Sequence, residues 1–241
     1  MNRDRRTALG SFAGGRLGAR LAVATLVLML GGTAAFAGCK DPPGPEVDWT
    51  DCLKERLMLD GETLTGANFD GAKLSGSDFE SANLAGASLQ LSELVRASFR
   101  DADLSNANFE KALSSRADFS GANLSGARLV KAEFLRVSFA GSDLSGADMR
   151  DGDFLRNDFT GANLAGANFE GAIAPRALFN DSNLAGTVFT RTFLYYSRFE
   201  GADLSEAIDL TQEQLDQTCG DKDTKLPPGL TVPARWPCGE D

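Results

Sequence analysis

A solenoid of short repeats is the fold class this sequence predicts, and two periods carry the prediction. The first is five. A large apolar residue recurs at every fifth position from Leu59 to Leu204, and of the thirty slots at that spacing only Ser114 and Ala174 lack one. The second is twenty. Phe79, Phe99, Phe119, Phe139, Phe159, Phe179 and Phe199 form one column headed by Leu59, and the next column is leucine throughout, from Leu64 to Leu204. Two residues before each slot stands Ala, or otherwise mostly Ser, Thr or Gly. Helices repeat about every 3.6 residues and strands every two, so neither holds this pattern on one face over such a length. A stack of repeats does.

The repeating residues read Gly66-Ala67-Asn68-Phe69, Ser81-Ala82-Asn83-Leu84, Gly121-Ala122-Asn123-Leu124 and Gly161-Ala162-Asn163-Leu164. They resemble the pentapeptide-repeat family, whose consensus is A-(D/N)-L-x-x, and the resemblance covers residues 57–208. It implies an all-β fold, a right-handed quadrilateral β-helix with one pentapeptide per side and four per coil. The twenty-residue period is what four sides require. Each inward Phe or Leu lies on its copy one coil away, and the inward Ala stays small because the tube is narrow. Coils are expected about 4.8 Å apart, so that thirty slots give about seven and a half coils and a rod of roughly 36 Å. At Ser114 and Ala174 a local register shift is expected, with Leu113 and Ile173 turning inward instead. A small cavity at each is the alternative.

The chain begins with five arginines and one aspartate in twenty residues. An uncharged stretch, Leu21 to Gly38, ends in Ala35-Phe36-Ala37, an A-x-A-type cleavage site. Residues 1–38 are therefore expected to be a secretory signal peptide. The strictly apolar part, Leu21–Leu30, is short for a membrane span. An uncleaved anchor and a misassigned start are the alternatives. Phe36-Ala37-Gly38-Cys39 also resembles a bacterial lipobox with Phe where Leu is usual, so lipidation of Cys39 stays open, and with it membrane tethering.

Four cysteines flank the repeat and none lies inside it. Bridged Cα atoms lie within about 7 Å, and the rod separates the two pairs by much more. Cys39–Cys52 and Cys219–Cys238 are thus the expected disulfides, suited to an oxidising compartment such as the periplasm. With no histidine and no C-x-x-C spacing, a metal site is not expected.

An open β-helix needs both ends covered. Residues 39–56, with Trp49 and Leu53, are expected to cap the front. Residues 209–241 are expected to form a capping helix and a Cys-closed tail. Thr211 is the expected N-cap, Gln214 its capping-box partner, and Leu210 with Leu215 the staple. Gly220 can end that helix, and Trp236 sits beside Cys238 in a Pro-rich lid.

One face departs from the rest. Two residues after its slots come Arg96, Arg116, Arg136, Arg156 and Arg176, half of the ten arginines in the coil region. Beside them run Leu135, Leu155 and Tyr195, with Val95, Ser115 and Pro175. Like charges about 4.8 Å apart repel by only about 0.9 kcal/mol per neighbouring pair in bulk water. The ladder can therefore be solvated, or paired to Asp118, Asp158 or Glu133. Alternatively it is a basic, partly apolar strip for a carboxylate- or phosphate-bearing partner. An oligomer or aggregation-blocking surface is the third reading.

No nucleophile elbow, phosphate loop or metal motif is present, and no cofactor is implied. Asp151 and Asp153 are the carboxylates one could imagine in surface catalysis, but a solvated ladder explains them. A non-enzyme is expected. Without the signal segment the chain holds 19 basic and 33 acidic residues, a balance that favours solubility and disfavours nucleic-acid binding. The main expectation is an exported structural or protein-interaction rod. The family resemblance supplies the alternative, a cytoplasmic DNA mimic that binds DNA gyrase.

Overall fold

The computed structural model describes residues 38–239. The expected signal segment lies outside these residues except for Gly38. Within them the chain winds into a four-sided coil. Parallel bridges join residues twenty apart without a break from Asp48↔Asn68 to Val188↔Ile208.

One pentapeptide shows why the sequence folds this way. Leu84 N–H donates to Asp103 O in the next coil, and Gly86 N–H to Ser105 O. Ala87 N–H closes a turn on Leu84 O, while Ser88 N–H reaches back to Ala67 O in the preceding coil. The remaining donor, Ala85 N–H, goes to Asn83 Oδ1 at 3.1 Å. All five amides are satisfied, as a packed backbone demands. The Asp or Asn before each slot is therefore a turn-forming residue that accepts from the amide two positions on. The third residue of each turn has positive φ, as in a type II turn. Gly86 and Gly126, at 68° and 66°, fit without strain.

Face one carries Leu59 and the phenylalanine column, face two the leucine column. Face three carries Trp49, Phe69, Leu89, Phe109, Leu129, Met149, Phe169 and Phe189. Face four carries Leu74, Leu94, Ser114, Phe134, Phe154, Ala174 and Leu194. The slots and the alanines two residues before them are almost all fully buried. On face one the rings from Phe79 to Phe199 stack at centroid spacings of 4.6–5.1 Å. Each buried Phe contributes about 1.5–3 kcal/mol.

The register does not shift on face four. Ser114 and Ala174 stay inward and buried, whereas Leu113 and Ile173 are 42% and 47% exposed. The neighbouring phenylalanines supply the missing volume. Phe134 meets Phe109, in the coil of Ser114, at 6.0 Å. Phe154 meets Phe169, in the coil of Ala174, at 5.8 Å. Its ring also lies over Gly152, where an added Cβ would come within 2.6 Å of it. The two three-residue strands sit here, β1 (Leu113–Ser115) and β2 (Glu133–Leu135), paired in parallel.

The front differs from expectation. Residues 47–54 begin the first coil rather than forming a separate cap. Asp48 and Leu53 bridge to Asn68 and Lys73, Trp49 is buried against Phe69 at 5.6 Å, and Lys54 Nζ lies 3.8 Å from the Trp49 ring. Leu53 points outward and is 70% exposed, so it covers nothing. Cys39–Cys52 and Cys219–Cys238 are both bonded, each with Cα atoms 5.5 Å apart.

At the back, α1 (Gln212–Leu215) starts at Thr211 with both capping-box hydrogen bonds. Gln214 Nε2 donates to Phe189 O and Thr192 O, carbonyls of the final coil, at 2.8 Å each. The helix ends at Asp216 in right-handed geometry, not at Gly220. Gly220 is instead needed because the Trp236 ring occupies the space a Cβ would take. The tail then rejoins the ladder through Arg198↔Cys219 and Asp203↔Lys225. Lys225 is the main cause of the Asp203 carboxyl being held at about 2.

Ser114→Leu restores the five-residue pattern yet should lower stability by about 1–3 kcal/mol, because Phe134 already leans into that coil. Adding Phe134→Leu should recover most of the loss in urea unfolding. An additive double mutant would show that the two sites do not share space.

Candidate functional site

Face four brings the five arginines into one column. All five are exposed and all have positive φ: 58° at Arg96, 59° at Arg116, 56° at Arg136, 58° at Arg156 and 57° at Arg176. Left-handed backbone costs an L-residue about 1–2 kcal/mol. On face two the equivalent corners are mostly glycine, at 66, 86, 126, 146, 166 and 186. The arginines thus occupy a position that disfavours their backbone and sets like charges one coil apart.

The other five arginines of the coil region are all ion-paired. Arg100 pairs with Asp118 at 3.6 Å, Arg128 with Glu110 at 3.0 Å, and Arg150 with Asp148 at 2.7 Å. Arg191 pairs with Glu170 at 2.7 Å and Arg198 with Glu200 at 2.6 Å. Among the described residues, none of the five ladder arginines has an ion pair or a side-chain hydrogen bond. The expected pairing to Asp118, Asp158 or Glu133 does not occur. Asp118 serves Arg100, while the Asp158 and Asp153 carboxylates accept from Thr160 N–H and Leu155 N–H within their own turns.

Leu135 and Leu155 are half-buried beside the ladder, and Tyr195 is 43% exposed. The column is longer than the sequence indicated. Arg56 has the same corner geometry, with φ 56°, and Gly76 separates it from Arg96. A shallow hollow of about 210 Å³ opens there, lined by Glu55, Arg56, Ser75, Gly76, Val95 and Arg96. Counting back in twenties from Arg96 passes Gly76 and reaches Arg56, inside the stretch expected to cap the front. At the far end Tyr196 takes the arginine position. Its ring receives Arg176 at 5.8 Å and Arg235, from the tail, at 4.8 Å. No periodicity points to Arg235, because α1 and the tail break the register.

A second depression, of about 300 Å³, lies on face three between Glu110, Arg128, Arg150, Glu170 and Arg191. Its three arginines are ion-paired, to Glu110, Asp148 and Glu170. Hydrogen bonding from Arg150 holds the Asp148 carboxyl below the usual carboxylate range. Among the described residues no cluster could hold a metal ion, and no helix is long and apolar enough to cross a membrane.

The architecture defines a class of protein, a four-sided β-helix with one five-residue repeat per side. A model of pentapeptide repeats matches this chain in eight copies, over residues 64–101, 97–134, 117–154, 138–173 and 176–208. The chain belongs to the pentapeptide-repeat family, and its coil is the family's right-handed quadrilateral β-helix. A search of curated proteins by sequence found no match. The chain also resembles a number of solved structures, among them the following three. QnrB1, a plasmid-mediated fluoroquinolone resistance protein, is 22% identical over 73% of this chain and 92% of its own, with a TM-score of 0.38. HetL of Nostoc sp. strain PCC 7120, involved in heterocyst differentiation regulation, is 24% identical over 72% and 84%, with a TM-score of 0.28. Rfr23 of the cyanobacterium Cyanothece 51142 is 21% identical over 56% and 90%, with a TM-score of 0.44.

Arg136→Gly tests whether the ladder serves the fold. Relief of the left-handed strain, less the entropic cost of glycine, should raise stability by about 0.5–1 kcal/mol. Urea unfolding would read this. A loss of stability would mean that the guanidinium holds the coil together.

Proposed function

We propose that this chain is a non-enzymatic, exported β-helical rod that serves as an interaction scaffold. Face four is its binding strip, with Arg96, Arg116, Arg136, Arg156 and Arg176 as the recognition groups. Leu135, Leu155 and Tyr195 supply apolar contact. The observation that carries this reading is the contrast among the coil arginines. Those off the ladder are neutralised within the chain, and those on it are left with their donors free at a strained corner. A guanidinium presents a fixed fork of donors that suits carboxylates and phosphates. Stacked coils hold these forks at fixed spacing, so binding loses little ordering entropy.

Export rests on the charged and then apolar leader, and on two disulfides that suit an oxidising compartment. In the bonded state the Cys39 sulfur is committed to Cys52, which counts against lipidation. The acidity of the remaining surface favours one other reading, a cytoplasmic DNA mimic directed at gyrase. An uninterrupted row of unpaired arginines counts against that mimicry.

Pull-down from an extracytoplasmic fraction should recover a partner that Arg136→Glu with Arg156→Glu abolishes. Unchanged recovery would remove the strip from the function. Intact mass of the native protein should show a chain starting near Gly38 that gains about four mass units on reduction, two per disulfide. An uncleaved, fully reduced cytosolic chain would overturn export and favour gyrase-type mimicry.

A further inference from the structure

We propose that face four binds a linear acidic polysaccharide, with one carboxylate per sugar, lying along the rod axis. This rests on face four being the binding face and adds the class of partner. Three observations select it. The first is pitch. The stacked rings of face one place successive coils 4.6–5.1 Å apart, and the arginines rise with the coils. An extended peptide repeats the same side-chain face about every 6.6–6.8 Å, and a duplex strand advances about 3.4 Å per phosphate. Neither keeps step with the ladder. In an extended glycan each pyranose advances the chain by about one ring length, close to the coil interval, and in a two-fold chain the acid groups on one face recur at every second sugar, so they meet every second arginine and stay in step with the ladder.

The second observation is the end of the strip. Phe193 and Tyr195 are 48% and 43% exposed, and their rings are within 16° of parallel with centroids 6.0 Å apart. Tyr196 stands edge-on to Tyr195, 78° from parallel at 4.3 Å, and its own ring receives Arg176 and Arg235. Flat aromatic faces beside fixed cations suit the C–H face of a sugar ring together with its acid group. Free amino-acid carboxylates would use the cations and leave the platform idle.

The third is the placement of acids. No outward column of the repeat carries acidic residues on more than two successive coils. Asp78, Asp118 and Asp158 alternate with Ser98 and Ser138, and Asp103 and Asp143 alternate with Asn123 and Asn163. The chain thus offers no matching acidic ladder to a second copy of itself, and a foreign polyanion is the better complement to the unbroken arginine row.

Titration of the disulfide-bonded, leader-free chain with sodium polygalacturonate tests the proposal. Its methyl ester and poly-L-glutamate are the comparators. Polygalacturonate should bind with an affinity that falls as salt is raised. The ester should not bind, and poly-L-glutamate should bind about ten-fold more weakly, a difference of about 1.4 kcal/mol. Arg136→Glu with Arg156→Glu should weaken polygalacturonate by about ten-fold or more. Phe193→Ala with Tyr195→Ala should weaken it several-fold, with the salt dependence kept. Lys131→Glu, on face three, should leave it unchanged, and circular dichroism and melting would confirm that each variant is folded. Equal binding of poly-L-glutamate, or no binding of polygalacturonate, overturns the polysaccharide assignment. If the double Glu variant still loses its partner in pull-down, the strip itself stands. If neither glycan nor partner responds to that variant, the binding face is refuted as well.

Discussion

Hydrogen bonding between coils sets an interval of about 4.8 Å, and the rest of the molecule is arranged around it. The interval comes from the backbone, so no side chain can change it. Residues twenty apart are held in line, both inside the tube and outside it. Inside, that favours identity: rings at 4.6–5.1 Å stack face to face along face one. Outside, identity is costly wherever the residue is charged. The acidic columns limit the cost: runs stop at two, as in Asp60–Glu80 and Glu133–Asp153, and elsewhere acids alternate with Ser and Asn. The arginine column does not, which separates it from the rest of the surface on physical grounds.

A fixed interval also dictates how the core absorbs irregularity. Volume missing at one level of a column has to come from the level above or below. Ser114 is matched by Phe134, and Ala174 by Phe154, whose ring then excludes any side chain at Gly152. Ser114 remains satisfied through a 3.4 Å hydrogen bond to Leu94 O. Asn157, buried nearby, accepts from Val137 N–H at 2.9 Å but leaves its Nδ2 without a partner. These adjustments gather on face four, whose outer surface carries the arginines. Inner repacking and outer chemistry thus share one side of the rod.

The ends solve one problem with different materials. At the front, Trp49 of the first coil lies on Phe69 of the second, and Cys39–Cys52 ties the incoming chain to it. At the back, α1 directs Gln214 onto two open carbonyls, and Trp236 donates from Nε1 to Thr218 O at 2.8 Å over Gly220. Closing the back also carries Arg235 to Tyr196. The last coil therefore gains a cation that the repeat itself does not encode.

Much of this was legible in the chain alone, because stacking turns sequence period directly into spatial column. The two periods, the four sides and the arginine column follow from counting by five and twenty, and both cysteine pairs from the length of rod that separates them. Counting failed where local chemistry departed from consensus. Trp49 and Lys54 hid the first coil, and Leu113 and Ile173 suggested a slip that hydrogen-bonded register does not allow. Only the tertiary structure decided which arginines are ion-paired, that the ladder sits at left-handed corners, and that a tail residue joins it. Those properties depend on where side chains end in space and on a segment outside the period. The sequence by itself determined the columns, since backbone pairing fixes them, and the fold decided what each column can touch.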